Sequence, residues 1–552
     1  MLPSTPFYKL IPISRRLRLA GMLALLLTTL LTPTASAALV NQKISATMPA
    51  LGDVVSALIS PDGQYVVYSA DQDLDEVFEL YSAKLDGSAA PVKLNSPLAG
   101  GKDVVNFQIS PDSSRVVYLA DQDTNNKLEL YSVPLGGGAN VKLNGTLATG
   151  GDVEEFSWRI SADSSRVVYL ADQDTNDVIE LYGVPLGGGS VVKLNISLVS
   201  GGNVTGFQIS PNSSRVVYLA DRLTDEVYEL HSVPIGGGIT NKLNATPVSG
   251  GDVLDFQISL DSSRVVILGD LLADEVFELE SVLLQGGSPV KISGTLVTGG
   301  DVIQFQISPD SSRVVYQADQ DTDGVNELYS VLLGGGSLVK LNSTLVSGGV
   351  VYYGAFLISP DSSRVVYNAD QDTDNVSELY SVPLAGGSSV KLNGPFDNTR
   401  DVYSNFQISP DSSRVVYRAD QDTDNLEEFY SVPLGGGSFV KLNGPLVSGG
   451  HVLSIFQISP DSGRMIYLAD QETDEVFELY SVPLTGGNVD KLNPPLVEGG
   501  NVSTDIHISP DSSQVVYLAD QETDEVFELF VTAGTTSAPS TEPIYLPLIV
   551  RQ

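Results

Sequence analysis

The sequence predicts an all-β fold, a β-propeller of four-stranded antiparallel blades, and three observations carry that prediction. Ile-Ser-Pro-Asp or a close variant recurs from Ile59, Ile109, Ile160, Ile209, Ile258, Ile307, Ile358, Ile408, Ile458 and Ile508, at spacings of 49 to 51 residues. Each unit holds four strand-like runs and no helical spacing. A unit of this length cannot bury its own apolar faces, so the ten must stack or close on one another.

In the second unit the runs are Val104–Ser110, Arg115–Ala120, Glu129–Leu135 and Val141–Asn144. The second is apolar on both alternating sets, Val116 and Tyr118 against Val117 and Leu119, as expected of a strand covered on both faces. Ser110-Pro111-Asp112-Ser113 puts proline at the second turn position, and Gly136-Gly137-Gly138 suits a hairpin turn. Pro134 falls at a strand end, where it is tolerated. Four such strands per unit describe a propeller blade; an open β-solenoid is the rival. The chain ends favour closure: Gln42–Ser45 reads as an isolated fourth strand, and the tenth unit stops after its third strand at Val531. One ten-bladed ring and two five-bladed rings both satisfy this strand bookkeeping.

The repeat itself, Ile-Ser-Pro-Asp-Ser-Ser-Arg-Val-Val-Tyr, then Ala-Asp-Gln-Asp-Thr-Asp, Glu-Leu-Tyr-Ser-Val-Pro-Leu-Gly-Gly-Gly and Val-Lys-Leu-Asn, resembles the WD-like propeller repeat of TolB and of dipeptidyl-peptidase-IV-type enzymes. The resemblance spans nearly all of residues 42–533. It implies a propeller that serves as a docking scaffold or a gating domain. Neither TolB's N-terminal domain nor a peptidase domain is expected on this chain.

Outside the repeats, residues 1–37 read as an export signal: Lys9, Arg15, Arg16 and Arg18 precede an apolar run from Leu19 to Leu31 and the small-residue exit Ala35-Ser36-Ala37. No later stretch is expected to cross a membrane, and the mature protein is expected at the cell surface, in the periplasm or outside the cell. The propeller is assigned to 38–531. Residues 532–543 read as a Thr/Ser/Pro linker, and 544–552, Ile544 to Gln552, as a short apolar tail that is a sorting or docking peptide or adds to a sheet edge.

Composition narrows the chemistry. With no cysteine, thiolate zinc sites, disulfides and a cysteine nucleophile are impossible. The formal charge is −38; without the leader, which carries four basic and no acidic residues, it is −42. Nucleic acid is therefore an unsuitable partner. No Gly-x-Ser-x-Gly elbow occurs, and the three histidines, His231, His451 and His507, are scattered over separate repeats. The glycine triplets precede no Gly-Lys-Ser or Gly-Lys-Thr, so they are turns and not phosphate cradles. Arg115 and its counterparts are expected to form blade-edge ion pairs with carboxylates such as Asp112.

Nearly all the charge is local. The nine-residue segments between second and third strands, typified by Asp71–Glu79, carry 43 acidic and two basic side chains, Lys127 and Arg222. Strand alternation places these loops on the rim that also bears the blade-to-blade connections, so one face is expected to be acidic. Oxygen ligands at alternating positions suit calcium. The candidate sets are Asp71, Asp73, Asp75 and Glu79; Asp319, Asp321, Asp323 and Glu327; Asp370, Asp372, Asp374 and Glu378; and Asp420, Asp422, Asp424 and Glu428. Asp53, Asp103, Asp152, Asp252, Asp301 and Asp401, at the start of first strands, are expected to add charge at the channel mouth. The functional expectation is an exported, non-catalytic propeller that binds a protein or glycan across its acidic loop face, with calcium as a possible aid. The alternatives are a regulatory partner of a separate hydrolase chain and a glycan-active enzyme using carboxylates at the channel mouth.

Overall fold

The computed structural model describes residues 41–49, 51–396 and 399–533. The leader (1–37) and the tail (544–552) lie outside them, as does the proposed linker from residue 534. The described chain is all β and forms ten four-stranded antiparallel sheets, each in the order first, second, third, fourth strand. Among the described residues no helix is long and apolar enough to cross a membrane.

Blade 1 shows the pattern: Val54–Ile59, Tyr65–Ala70, Glu79–Lys84 and Val92–Lys93. The second strand is buried on both faces from Val66 onward, because neighbouring blades cover it on each side. Each blade interface holds its own apolar core. Between blades 1 and 2, Val67 and Leu80 pack against Val104, Val116, Tyr118 and Tyr131. Between blades 5 and 6, Leu268 and Leu279 meet Val302, Phe305 and Tyr316 without interruption.

The last core closes the ring. Val516, Leu518, Leu529 and Val531 of blade 10 pack against Val54, Tyr68 and Tyr81 of blade 1. Blade 10 comprises Val502–Ile508, Gln514–Ala519 and Glu528–Ala533, and takes Gln42–Lys43 as its fourth strand, with Gln42 opposite Val531. A solenoid and two five-bladed rings are both ruled out, since blade 5 continues into blade 6 and blade 10 meets blade 1. The third strand runs through Ala533, two residues into the proposed linker, because Thr532 pairs with Val515 and its hydroxyl donates to Leu492 O at 3.3 Å.

Inside most blades a tyrosine pair spans the second and third strands. Tyr118 stacks on Tyr131 at 5.3 Å, and the two residues are directly opposite in the ladder. The Tyr118 hydroxyl donates to Gln122 Oε1 at 2.9 Å, which anchors the start of the acidic loop.

Candidate functional site

The acidic loops and the blade-to-blade connections share one rim, as strand order requires. Within a loop the four regularly spaced carboxylates do different work. The first aspartate is a buried cap. Asp370 accepts from Val350 N at 2.5 Å through Oδ1 and from Asn375 N at 3.1 Å through Oδ2. Asp71, Asp319 and Asp420 do the same for Asp53 and Glu76, for Asp301 and Gly324, and for Asp401 and Asn425. Both lone-pair faces are thereby engaged by backbone N–H groups.

The glutamate that opens the third strand is also buried, and it is neutralised by the lysine of Val-Lys-Leu-Asn. Lys391 Nζ lies 2.6 Å from Glu378 and 2.7 Å from Asp372, the second acid of the loop. Lys340 joins Glu327 and Asp321 in the same way. Lys93 bridges Glu79 and Asp73, and Lys441 bridges Glu428 and Asp422. The asparagine two residues beyond the lysine completes the hub: Asn342 Oδ1 accepts from Leu328 N at 2.8 Å while its Nδ2 approaches Glu327 at 3.4 Å. Tyr380 donates to Glu378 at 2.8 Å. Burial works to lower the Lys391 pKa, but Asp372 and Glu378 outweigh it and hold the ammonium above its ordinary range.

The second and third acids of each set are both exposed at the rim, but only the third, Asp75, Asp323, Asp374 or Asp424, lacks a lysine partner among the described residues. The four carboxylates of a set are thus divided in their work: one caps backbone, two share a lysine, and one is exposed without a lysine. Among the described residues, no group of three or more His, Asp or Glu side chains is arranged to hold a metal.

The aspartates at the first-strand starts tie each blade to the preceding one. Asp103 Oδ1 accepts from Phe78 N of the preceding blade at 2.9 Å, and Val104 N donates back to Phe78 O at 2.8 Å. Asp53, Asp152, Asp252, Asp301 and Asp401 accept from Phe527, Leu128, Tyr228, Phe277 and Ser377. Asparagine serves as well: Asn203 accepts from Ile179 and Asn501 from Phe477. The job needs an acceptor oxygen, and a negative charge is incidental to it.

The expected Arg115–Asp112 ion pair is replaced by a different arrangement. Arg115 Nε donates to Ser132 Oγ at 2.6 Å across the sheet, while Asp112 Oδ1 accepts from Ser110 and Ser114 within its turn. Burial works to raise the Asp112 pKa, but these bonds outweigh it and hold the carboxyl low. On this opposite rim Asp112 N donates to Ser164 Oγ of the next blade at 3.0 Å. The histidines stay apart. His231 is buried against Tyr218 at 5.3 Å, His451 lies 3.5 Å from Asp470, and His507 lies 2.6 Å from Asp505.

The lysine hub and the serine tie were missed in reading the sequence, although the signal was present: Lys43, Lys93, Lys142, Lys193, Lys242, Lys291, Lys340, Lys391, Lys441 and Lys491 recur 49 to 51 residues apart.

Residues 79–233, from the third strand of blade 1 to the third strand of blade 4, match the family described as the lipoprotein LpqB beta-propeller domain. That stretch matches a propeller family. A comparison with curated proteins gives no match. Among solved structures, the putative TolB from Agrobacterium tumefaciens is similar at 17% identity over 43% of this chain and 79% of that one, with a TM-score of 0.26. The tricorn protease is similar at 14% identity over 79% of this chain and 43% of that one, with a TM-score of 0.35. An oligogalacturonate lyase in complex with manganese shows 14% identity over 80% of this chain and 99% of that one, with a TM-score of 0.35. The LpqB-type match over these residues agrees with the propeller fold described above.

Proposed function

We propose that this protein is an exported, non-catalytic binding protein whose ligand is a cationic surface seated on the rim that carries the acidic loops. The observation that carries this reading is the split within each loop. The inner carboxylates are consumed by backbone and lysine, whereas the outer ones, such as Asp75 and Glu76 in blade 1 or Asp474 and Glu475 in blade 9, are exposed and pair with no cation among the described residues. Nine such loops on one rim, all but that of blade 2, where Asn125 and Asn126 stand in place of the outer acids, sum to a field that attracts cationic partners and repels anionic ones. Export is supported by the leader, and the non-catalytic role by the structural employment of the carboxylates that an acid–base pair would require.

The test is a charge reversal confined to the outer acids. Asp75→Lys, Glu76→Lys, Asp225→Lys, Glu226→Lys, Asp274→Lys, Glu275→Lys, Asp474→Lys and Glu475→Lys together should abolish capture of basic proteins from the native extracellular fraction while leaving the far-ultraviolet spectrum unchanged. Undiminished capture by the folded variant would overturn the reading.

A further inference from the structure

Blades 4 and 5 depart from the other eight together, at three equivalent positions. The glutamine that receives the tyrosine hydroxyl is replaced by Arg222 and Leu271, the lysine-bridged second acid by Leu223 and Leu272, and the third-strand aromatic ring, tyrosine in seven of the other blades and Phe530 in blade 10, by His231 and Glu280. Leu223 and Leu272 are 62% and 49% exposed, and Val248, whose backbone N donates to Leu271 O at 3.3 Å, is 37% exposed beside them. The two loops sit on neighbouring blades, since Tyr228 N at the foot of the blade 4 loop donates to Asp252 of blade 5. Leu74 of blade 1 is also exposed, but its blade keeps the Asp73–Lys93–Glu79 bridge.

The third departure leaves buried polar atoms without partners in the same two blades. His231 is 1% exposed with neither ring nitrogen hydrogen-bonded, and Glu280 is 5% exposed with Oε2 unpartnered. Buried polar groups without partners are destabilising, and departures of this kind from a repeat's own rules collect where a protein has a use for them. Exposed Asp225 and Glu226 on one loop and Asp274 and Glu275 on the other flank the leucines.

We propose that the rim over blades 4 and 5 is the seat for one class of partner: a protein segment presenting apolar side chains flanked by lysine or arginine. The leucines and Val248 would take the apolar side chains and the flanking acids the basic ones. A second copy of this chain would bring its own acidic rim against this one, and a neutral glycan would leave the acids unpaired. This inference rests on the acidic rim being a binding face, and it specifies where on the ring and what chemistry.

The test uses the mature chain and the variant Leu223→Asp/Leu272→Asp, which gives blades 4 and 5 the acid that six other blades carry there, within reach of Lys242 and Lys291. Two fluorescent probes are titrated by anisotropy: a short synthetic peptide of alternating leucine and lysine, and an all-lysine peptide of the same length. The alternating peptide should bind the parent protein and lose about tenfold in affinity on the variant, the order expected for denying two leucines apolar contact. The all-lysine peptide should bind the variant as well or better. If both peptides bind the variant more tightly, the rim attracts cations but blades 4 and 5 are not the seat. If neither peptide binds the parent protein, the rim reading itself fails. If the parent protein alone is a dimer by light scattering and the variant a monomer, the occupant is a second copy and the proposal is overturned.

Discussion

Asp53 Oδ1 accepts a hydrogen bond from the backbone N–H of Phe527 at 2.7 Å, and Val54 N returns one to Phe527 O at 2.8 Å. These residues are at opposite ends of the propeller, and their contact joins the first blade to the last on the loop-bearing rim. Because Asn203 and Asn501 hold the same bond elsewhere, Asp53→Asn should be neutral. Asp53→Ala leaves the Phe527 N–H without its acceptor and should lower stability by about 1–2 kcal/mol. Urea unfolding of the two variants side by side checks this.

On the opposite rim the seam is incomplete. Nine interfaces carry a serine hydroxyl that accepts from the turn of the preceding blade, as Ser113 does from Asp62 N at 3.0 Å. At the tenth the serine is replaced by Gly63, whose φ of 69° is close to the 57° of Ser113. A Cβ at Gly63 meets nothing nearer than Pro510 Cδ at 3.7 Å. Gly63→Ser should therefore fit, supply the missing acceptor for Asp511 N and raise stability by about 0.5–1 kcal/mol, the gain from the bond and from a less flexible unfolded chain outweighing the left-handed backbone cost. A lower urea midpoint would show that the seam is not short of this bond.

The lysine hubs predict an ordered series. Lys391→Met strands Glu378, which is 3% exposed, as a buried charge without its cation, and should cost about 3 kcal/mol. Asp372→Asn removes only the exposed end of the bridge and should cost under about 1 kcal/mol. Adding chelator should leave the thermal transition of the parent protein in place, because these carboxylates already have their cation.

His231 predicts a pH dependence with a definite sign. Burial is the main cause that lowers its pKa, from 6.5 to about 4, with Glu229 opposing and Arg222 and Lys242 assisting. A folded pKa below the unfolded one means that the stability contributed by the neutral ring is complete above pH 6.5 and is lost as pH falls toward 4. The loss is on the order of 3 kcal/mol over that window. His231→Tyr, which restores the pair seen in Tyr118–Tyr131, should remove this component, so the difference in melting temperature between variant and parent should widen on acidification from 6.5 to 4. A constant difference across that range would refute it.

Much of the fold was legible because it is written ten times. The alternating apolar sets of Arg115–Ala120, the turn at Ser110–Ser113 and the spare strand are local patterns with local causes; each appears where the sequence places it, the spare strand as Gln42–Lys43 of the expected Gln42–Ser45. The site was less legible. Asp71, Asp73, Asp75 and Glu79 look equivalent in a string, yet Lys93 arrives from a strand 14 residues beyond Glu79 to claim two of them. Nothing local in the sequence shows that Asp103 accepts from Phe78 N of the neighbouring blade.

By itself the sequence determined the blade, the number of blades and the concentration of charge in ten loops, because strand alternation, turn chemistry and composition act over a few residues. Only the tertiary structure decided that the ten blades form one ring and which carboxylates are engaged by backbone or lysine. Both depend on partners that come from other strands and other blades, and a buried acid and an exposed one are the same letter until those partners are in place.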